Sequence, residues 1–511
     1  MDPVNFGTLN YIVLAIYLAG MLGVGLYFSR KQEDAEMFFL GGRKLPWIAV
    51  AMSMYASLTS AVTYLGLPGM AYSENIALII VCIMSPIVAP VILLLFYPLY
   101  HRLQVTTSYE YILKRFGQPA RYTVAGLFIL ARLGWLGTVV YAPALAMSIV
   151  TGLQLGECIC MMGLLATLYT TLGGLAAVVW TDAIQFIILI GGAIWVALSL
   201  VNGIEGGAGE IMARAAETGR LHIADWEFNL FAMTGPAVAI SFFFQLMQDY
   251  GTDQVTVQRL MATGSMKKTI KSVAFNACTD FFIIALLMFI GLGLFTFFQS
   301  LELPAHISPD KVMPYYIIHY LPQGISGLLI TAVFAAAMSS MDSGINSIAT
   351  VLINDFKNPL TKTFRKPSRP DHPNKEPATE RPKWLAINDV HLARILTVVL
   401  GVLATGLAFY VSTLDGILKA FFSFMGMFSA PVLALFLLGV LTRKGTFKGW
   451  LVGLTASLAS SVWIQNFTEV HEINYFTISF ATALIVGLIA SRFFPSSETD
   501  PSLTIWKNRS S

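Results

Sequence analysis

Polar side chains interrupt an apolar stretch of the chain between Phe334 and Ser347, which reads FAAAMSSMDSGINS. The stretch contains four serines, one aspartate and one asparagine. A membrane interior has no water to satisfy such groups, and a charge near the centre of a membrane helix costs about 2.5–3.5 kcal/mol even on lenient scales. These oxygens therefore predict a binding site for an ion or a solute.

Two other apolar segments carry polar residues in their middle. MSMYASLTSAVTYLGLPG (Met52 to Gly69) contains Ser57, Thr59, Ser60 and Thr63, and FQLMQDYGTDQVTVQR (Phe244 to Arg259) contains two aspartates and a glycine. Polar and glycine residues let a membrane helix unwind, and the freed backbone carbonyls can then coordinate an ion or a solute. The alternative is that the hydroxyls only bond back to the preceding helical turn.

Composition defines the elements that must position these residues. Hydrophobic residues make up 56% of the 511-residue chain and charged residues 12%, against about 25% charged residues in soluble domains. The chain is therefore predicted to be an all-α polytopic membrane protein in a lipid bilayer. About 20 apolar residues cross the membrane core as a helix, and thirteen spans are predicted, near 8–29, 46–70, 75–99, 122–151, 155–174, 177–201, 233–258, 269–298, 324–353, 390–412, 416–440, 448–466 and 472–491.

The two interrupted segments are the second and seventh spans. They lie five spans apart in the order of the chain, as two inverted five-helix repeats of the leucine-transporter type require. We expect one transmembrane domain, 1–511, with core repeats at about 46–201 and 233–440.

The distribution of basic residues predicts the orientation of the chain. With the N-terminus outside and the C-terminus inside, the outer loops contain only Arg214, Arg220 and Lys311, while nearly all other lysines and arginines, Arg259 among them, lie in inner loops. Cytoplasmic loops carry such an excess of positive charge. Residues 355–389 are rich in Pro, Lys, Arg and Glu, which is typical of a flexible cytoplasmic loop.

Several motifs along the chain resemble those of the sodium/solute symporter family. They are GGR with PW (41–47), ASLTSAVTYLGLPGMAY (56–72), TSYEYILKRF (107–116), VVYAPALA (139–146), YTTLGGLAAVVWTDAIQ (169–185), GTDQVTVQR (251–259) and FAAAMSSMDSGINS (334–347). The second and fourth spans are most similar to the branch that carries monocarboxylates, iodide and vitamins. The resemblance implies a leucine-transporter-like fold with extra helices. It also implies sodium-coupled import of a small polar organic solute, such as a monocarboxylate or another organic anion, across the cell membrane by alternating access. A sodium/sugar symporter is the alternative.

The resemblance also implies the ion ligands. The main sodium site would use the backbone carbonyls of Ala56, Thr59 and Ala336 and the hydroxyls of Ser339 and Ser340. Oxygen ligands suit this hard cation. Some members bind a second sodium ion, and the equivalent residues here would be Asp182, Ser339, Asp342 and Ser343. The family has serine where this chain has Asp342, so that Asp342 is interpreted as a second-ion ligand, a proton carrier or the partner of a basic residue.

The solute site is expected near the middle of the membrane. Arg132 lies inside the fourth span, where it would either clamp a solute carboxylate or pair with Asp249, Asp253 or Asp280. Trp135 stands where sialic-acid carriers have a substrate arginine. The predicted solute-binding residues are Ser60, Thr63, Arg132, Trp135, Asp253 and Ser423.

Other classes of protein are not supported by the sequence. We find no P-loop and no nucleophile–base pair, and the seven histidines fall in predicted loops or at span ends without ligand spacing. An enzyme, a nucleic-acid-binding protein and an obligatory protein partner are therefore not expected. A membrane sensor would need an added signalling domain, and none of that size follows Phe494.

Overall fold

The structure of the chain, a computed structural model, describes residues 7–29, 35–171, 175–299, 301, 307–364, 388–414, 417–495 and 500–506. The regular structure of these residues is helical. The helices of the first half are α1 (Thr8–Ser29), α2 (Ala35–Leu40), α3 (Trp47–Leu58), α4 (Ala61–Ser73), α5 (Ile80–Leu95), α6 (Tyr97–Leu103), α7 (Tyr109–Phe116), α8 (Gln118–Thr151), α9 (Leu155–Thr170), α10 (Leu175–Gly203) and α11 (Gly207–Glu217).

The second half continues in the same way, with π-helical turns at Leu352–Lys357 and Met425–Ser429. Its helices are α12 (Gly235–Gly251), α13 (Gln254–Met261), α14 (Met266–Gln299), α15 (Pro309–Tyr320), α16 (Ile325–Val351), α17 (Asn358–Phe364), α18 (Asp389–Val411), α19 (Ile417–Phe424), α20 (Ala430–Leu441), α21 (Phe447–Phe467) and α22 (Tyr475–Ser491).

The predicted spans coincide with helices of the described chain. By length and composition alone, nine described helices are apolar enough to cross a membrane, and the bent pair α3–α4 makes a tenth. The predicted spans at 155–174, 233–258 and 448–466 correspond to α9, to α12 with α13, and to α21. The count of thirteen crossings and the orientation stay predictions.

Both predicted helix breaks are present in the structure. Helix α3 ends at Leu58 because Thr59 and Ser60 adopt extended backbone angles, and α4 then continues at an angle of 59°. The hydroxyl of Ser60 caps α4 by accepting a hydrogen bond from the Val62 amide at 3.2 Å. Helix α12 ends at Gly251, and the carboxylate of Asp253 caps α13 by accepting one from the Val255 amide at 2.9 Å.

Helix α16 carries the FAAAMSSMDSGINS stretch through the centre of the bundle. It packs against α1, α3, α8 and α10, and every residue from Phe334 to Ser347 is buried. Its alanines and glycine allow the neighbouring helices to approach closely. The polar side chains of this stretch therefore face protein groups and not lipid.

The first ten residues of the predicted cytoplasmic loop are helical. Residues 355–364 continue the helical path below α16 as a π-helical turn and α17. Asp355 is fully buried and pairs with Arg121, which is also buried. This corrects the predicted boundary at 355; the remainder of that loop, 365–387, lies outside the described residues.

Candidate functional site

The end of α3 meets the middle of α16 at the predicted main sodium site. A helix C-terminus leaves its last carbonyls without helical partners, and the hydroxyl of Ser340 donates to one of them, the Ser57 carbonyl, at 3.2 Å. Ala56, Ala336 and Ser340 are all fully buried. Because helix-end carbonyls and serine hydroxyls are the neutral oxygen donors that suit sodium, the residues at this junction fit the ion.

Asp182 of α10 lies at the centre of a buried polar network beside that junction. Its Oδ2 accepts hydrogen bonds from the Ser53 hydroxyl at 2.6 Å and the Ser57 hydroxyl at 3.2 Å. Its Oδ1 accepts one from the Ser339 hydroxyl at 2.6 Å. The carboxylate thereby links α10 to both α3 and α16.

Arg259 completes this network as the partner of Asp182. Its Nη2 lies 3.2 Å from Asp182 Oδ2, and both side chains are fully buried. The guanidinium also donates to the hydroxyls of Ser53 at 2.9 Å and of Ser343. The sequence analysis placed Arg259 in an inner loop, which is wrong because Arg259 lies in α13 and every residue of that helix is buried.

The residues implied for a second sodium ion are all fully buried and divide between two environments. Asp182 and Ser343 are joined through the Ser57 hydroxyl, which lies 2.7 Å from the Ser343 hydroxyl. Asp342 accepts a hydrogen bond from the Thr170 hydroxyl on α9. The structure therefore brings Asp182 and Ser343 together and gives Asp342 a contact on another helix.

Arg132 of α8 forms an ion pair with Asp253, the residue at the break between α12 and α13. The Arg132 Nη2 lies 2.6 Å from Asp253 Oδ2, and both side chains are almost fully buried. The guanidinium also lies over the Trp135 ring, 4.5 Å from its centroid. Of the two interpretations of Arg132, this geometry matches the internal salt bridge.

A cavity of about 150 Å³ opens beside the break in α3–α4, between these helices, α12 and α14. Three of the residues predicted for the solute site, Ser60, Thr63 and Trp135, line this cavity. Arg132, Asp253 and Ser423, although all are described, are not among its lining residues. Ser423 uses its backbone carbonyl to accept a hydrogen bond from Gln465 Nε2 at 3.4 Å.

Sequence reasoning missed three polar residues of this cavity. They are Gln245, Asp249 and Asp280. Gln245 and Asp249 are four residues apart on α12, which places them on one helix face. Asp280 is a lone carboxylate inside the apolar span 269–298, and that isolation was a signal of function.

The family of the chain follows from sequence comparison. The sequence model of the sodium:solute symporter family matches residues 38–456. The chain belongs to this family, whose members are sodium-coupled membrane transporters and not enzymes.

Individual relatives agree with this assignment. The chain is 30% identical to a sodium/sialic acid symporter of Aliivibrio fischeri over 503 residues, which cover 97% of this chain and 95% of the relative. It is 32% identical to the human sodium-coupled monocarboxylate transporter 2 over 475 residues, which cover 91% of this chain and 73% of the relative. The chain is also similar to a solved structure of a sodium-coupled sialic acid symporter, in a substrate-bound outward-open state with a novel sodium site. The two superimpose with a TM-score of 0.86 at 28% sequence identity, and the match covers 97% of this chain and 100% of the solved one.

Proposed function

We propose that this chain imports a small, sugar-like solute together with sodium across the plasma or inner membrane. The cavity at the α3–α4 break supports this, because it places the hydroxyls of Ser60 and Thr63 and the indole of Trp135 around one space. Such pockets combine an apolar wall with a few polar groups that fix the orientation of the ligand. A cavity of about 150 Å³ is large enough to hold a six-membered ring.

Sodium coupling is proposed to act through the junction of α3 and α16. The carbonyls of Ala56, Thr59 and Ala336 and the hydroxyls of Ser339 and Ser340 would hold the ion. Thr59 also lines the solute cavity, so a bound ion would fix the broken helix that forms part of the solute site. Inward movement of each positive charge gains about 2.3 kcal/mol per 100 mV of membrane potential.

A second sodium ion is proposed beside Asp182, with Asp342 and Ser343 as further candidates. The serine hydroxyls around Asp182 supply additional oxygen donors there. Because Arg259 already pairs with this carboxylate, the ion would share it with a guanidinium. That arrangement favours weak and reversible binding.

An acidic sugar is the second candidate solute. The similarity to sialic acid symporters along almost the whole chain favours it. The cavity, however, contains no arginine among its lining residues, and the nearby Arg132 is engaged by Asp253. A sugar-like solute without a carboxylate agrees better with that geometry, and a small monocarboxylate held by Arg132 loses its structural basis.

Counterflow in proteoliposomes tests the proposal. Vesicles containing the purified protein would be loaded with neutral hexoses, with acidic sugars or with small monocarboxylates, and exchange of labelled solute would be measured in sodium and in potassium. We expect exchange of a sugar-like solute only in sodium. Exchange that proceeds equally in potassium, or that occurs only with monocarboxylates, would contradict the proposal.

A further inference from the structure

The charges of the central cavity are unbalanced. Asp249 of α12 and Asp280 of α14 both line it. Neither of them forms an ion pair with a described lysine, arginine or histidine, whereas the buried Asp182, Asp253 and Asp355 each pair with an arginine. Ionisable residues inside a membrane protein are paired or mark the path of a substrate or ion. The two cavity carboxyl groups are therefore acceptors with which a positively charged group of a ligand can pair.

Asp280 is held as an oriented hydrogen-bond acceptor. Its Oδ2 receives the Ser85 hydroxyl, at 2.6 Å, and the Tyr250 hydroxyl. Two donors on one oxygen fix the direction of the carboxyl group. The residue is 8% exposed, and that exposure faces the cavity it lines.

Gln245 gives an independent indication of a ligand. This side chain is 3% exposed and lines the same cavity, yet its Oε1 has no hydrogen-bond partner. A buried polar group without a partner is unfavourable unless a ligand satisfies it. Gln245 lies one helical turn before Asp249, so that the two acceptors share a face of α12.

We propose that the cavity binds its solute through a protonated amino group, seated between Asp249, Asp280 and the Gln245 carbonyl oxygen. An ammonium group has three N–H donors and no acceptor, which matches these three acceptors in number and in charge. Aromatic rings complete the enclosure, and such rings attract cations over their faces. They belong to Tyr55, Trp135, Phe242, Tyr250, Phe421 and Phe422.

The remaining polar groups define the rest of the solute. The hydroxyls of Thr59, Ser60 and Thr63 lie on the α3–α4 side of the cavity, where they can bond to solute hydroxyls. The solute class is thus a small hydroxylated amine of monosaccharide size, such as an amino sugar. This inference rests on the proposal that the cavity is the solute site.

The experiment uses three probes on one ring skeleton in wild-type proteoliposomes. D-glucosamine carries the ammonium, N-acetyl-D-glucosamine keeps the nitrogen without the charge, and D-glucose lacks it. Sodium-dependent uptake should favour glucosamine over both others by about tenfold or more, since charge-assisted hydrogen bonds are stronger than neutral ones. Equal uptake of the three would overturn the inference and leave the proposed function standing, whereas sodium-independent uptake or no uptake of any ring would contradict the proposed function as well.

Two variants and one control locate the effect. Asp249→Asn and Asp280→Asn should each abolish the preference for glucosamine, and Asp225→Asn, in an exposed part of the outer loop, should retain it. Asp280→Asn also perturbs the hydrogen bonds from Ser85 and Tyr250. For each purified variant, the increase in thermal stability on addition of glucosamine is therefore measured together with uptake. A preference that survives in Asp249→Asn would overturn the inference. The inference would also be overturned if either variant transported fewer sodium ions per solute and kept its preference for glucosamine, because the carboxylates would then hold sodium.

Discussion

Neutralising Asp182 alone is expected to destabilise the protein strongly. Asp182→Asn keeps the shape of the side chain and one oxygen that can accept from either Ser53 or Ser339, but it removes the charge beside Arg259. Both members of this ion pair are fully buried. Leaving one buried charge uncompensated costs about 3–5 kcal/mol. Because the free energy of unfolding of a protein is about 5–15 kcal/mol, this loss is a large share of the stability.

Removing both charges should recover much of that loss. In Asp182→Asn/Arg259→Gln no buried charge remains, and neutral replacements of buried ion pairs are often tolerated. Three hydrogen bonds of the guanidinium are still lost, to the Ser53 hydroxyl at 2.9 Å, to the Val255 carbonyl at 3.0 Å and to the Ser343 hydroxyl. These contribute about 1 kcal/mol each. We therefore expect the double variant to be more stable than Asp182→Asn by up to about 2 kcal/mol.

The assay is unfolding by SDS titration of the purified protein in mixed micelles, without sodium, so that ion binding does not contribute. Wild type, both single variants and the double variant form a double-mutant cycle. The exposed pair of Arg214 and Glu210 provides the control cycle, with an expected coupling below about 1 kcal/mol. If the losses of the two buried single variants simply add in the double variant, the ion-pair reasoning is refuted.

Three further predictions concern transport. Ser340→Ala should raise the sodium concentration for half-maximal uptake by about tenfold or more, since a hydrogen bond or ligand contact to a charged group contributes about 1.5–3 kcal/mol. The control Ser326→Ala, at the N-terminal end of the same helix, should behave as wild type. Wild-type sodium activation in a folded Ser340→Ala would remove that residue from the site. Asp342→Asn should lower the charge moved per solute, measured as current against labelled solute, with the pH optimum unchanged; a shifted optimum would assign a proton to Asp342 instead. Arg132→Gln should lower stability because Asp253 loses its partner, without changing competition by small monocarboxylates. Loss of monocarboxylate inhibition only in that variant would restore the carboxylate clamp.

The helix breaks could be predicted from sequence because the chemistry that makes them is local. The non-helical residues at 59–60 and 252–253 are polar residues inside apolar spans, next to hydroxyl groups or glycine. The same holds for α16, whose polar residues could only be tolerated inside the bundle. Their neighbours along the chain sufficed to identify these positions.

The partners of the buried charges could not be predicted in this way. Arg259 follows an apolar span directly, so its position resembles that of any loop arginine, and only the path of α13 brings it to Asp182. Arg132 had three candidate aspartates at similar depth, and the choice of Asp253 depends on how α8 packs against the break in the seventh span. Asp249 and Asp280 were considered only as partners for that arginine, which concealed their place in the cavity.

Sodium binding to the purified protein tests the central claim most directly, because it does not require the solute to be known. Equilibrium binding of radioactive sodium would be measured by scintillation proximity on wild type and on Ser339→Ala/Ser340→Ala, with excess unlabelled sodium or potassium as competitor. We predict saturable binding to wild type that sodium displaces and potassium does not, and its loss in the folded double variant. Unchanged binding in that variant, or no saturable binding to wild type, would contradict the assignment of the sodium site to the junction of α3 and α16.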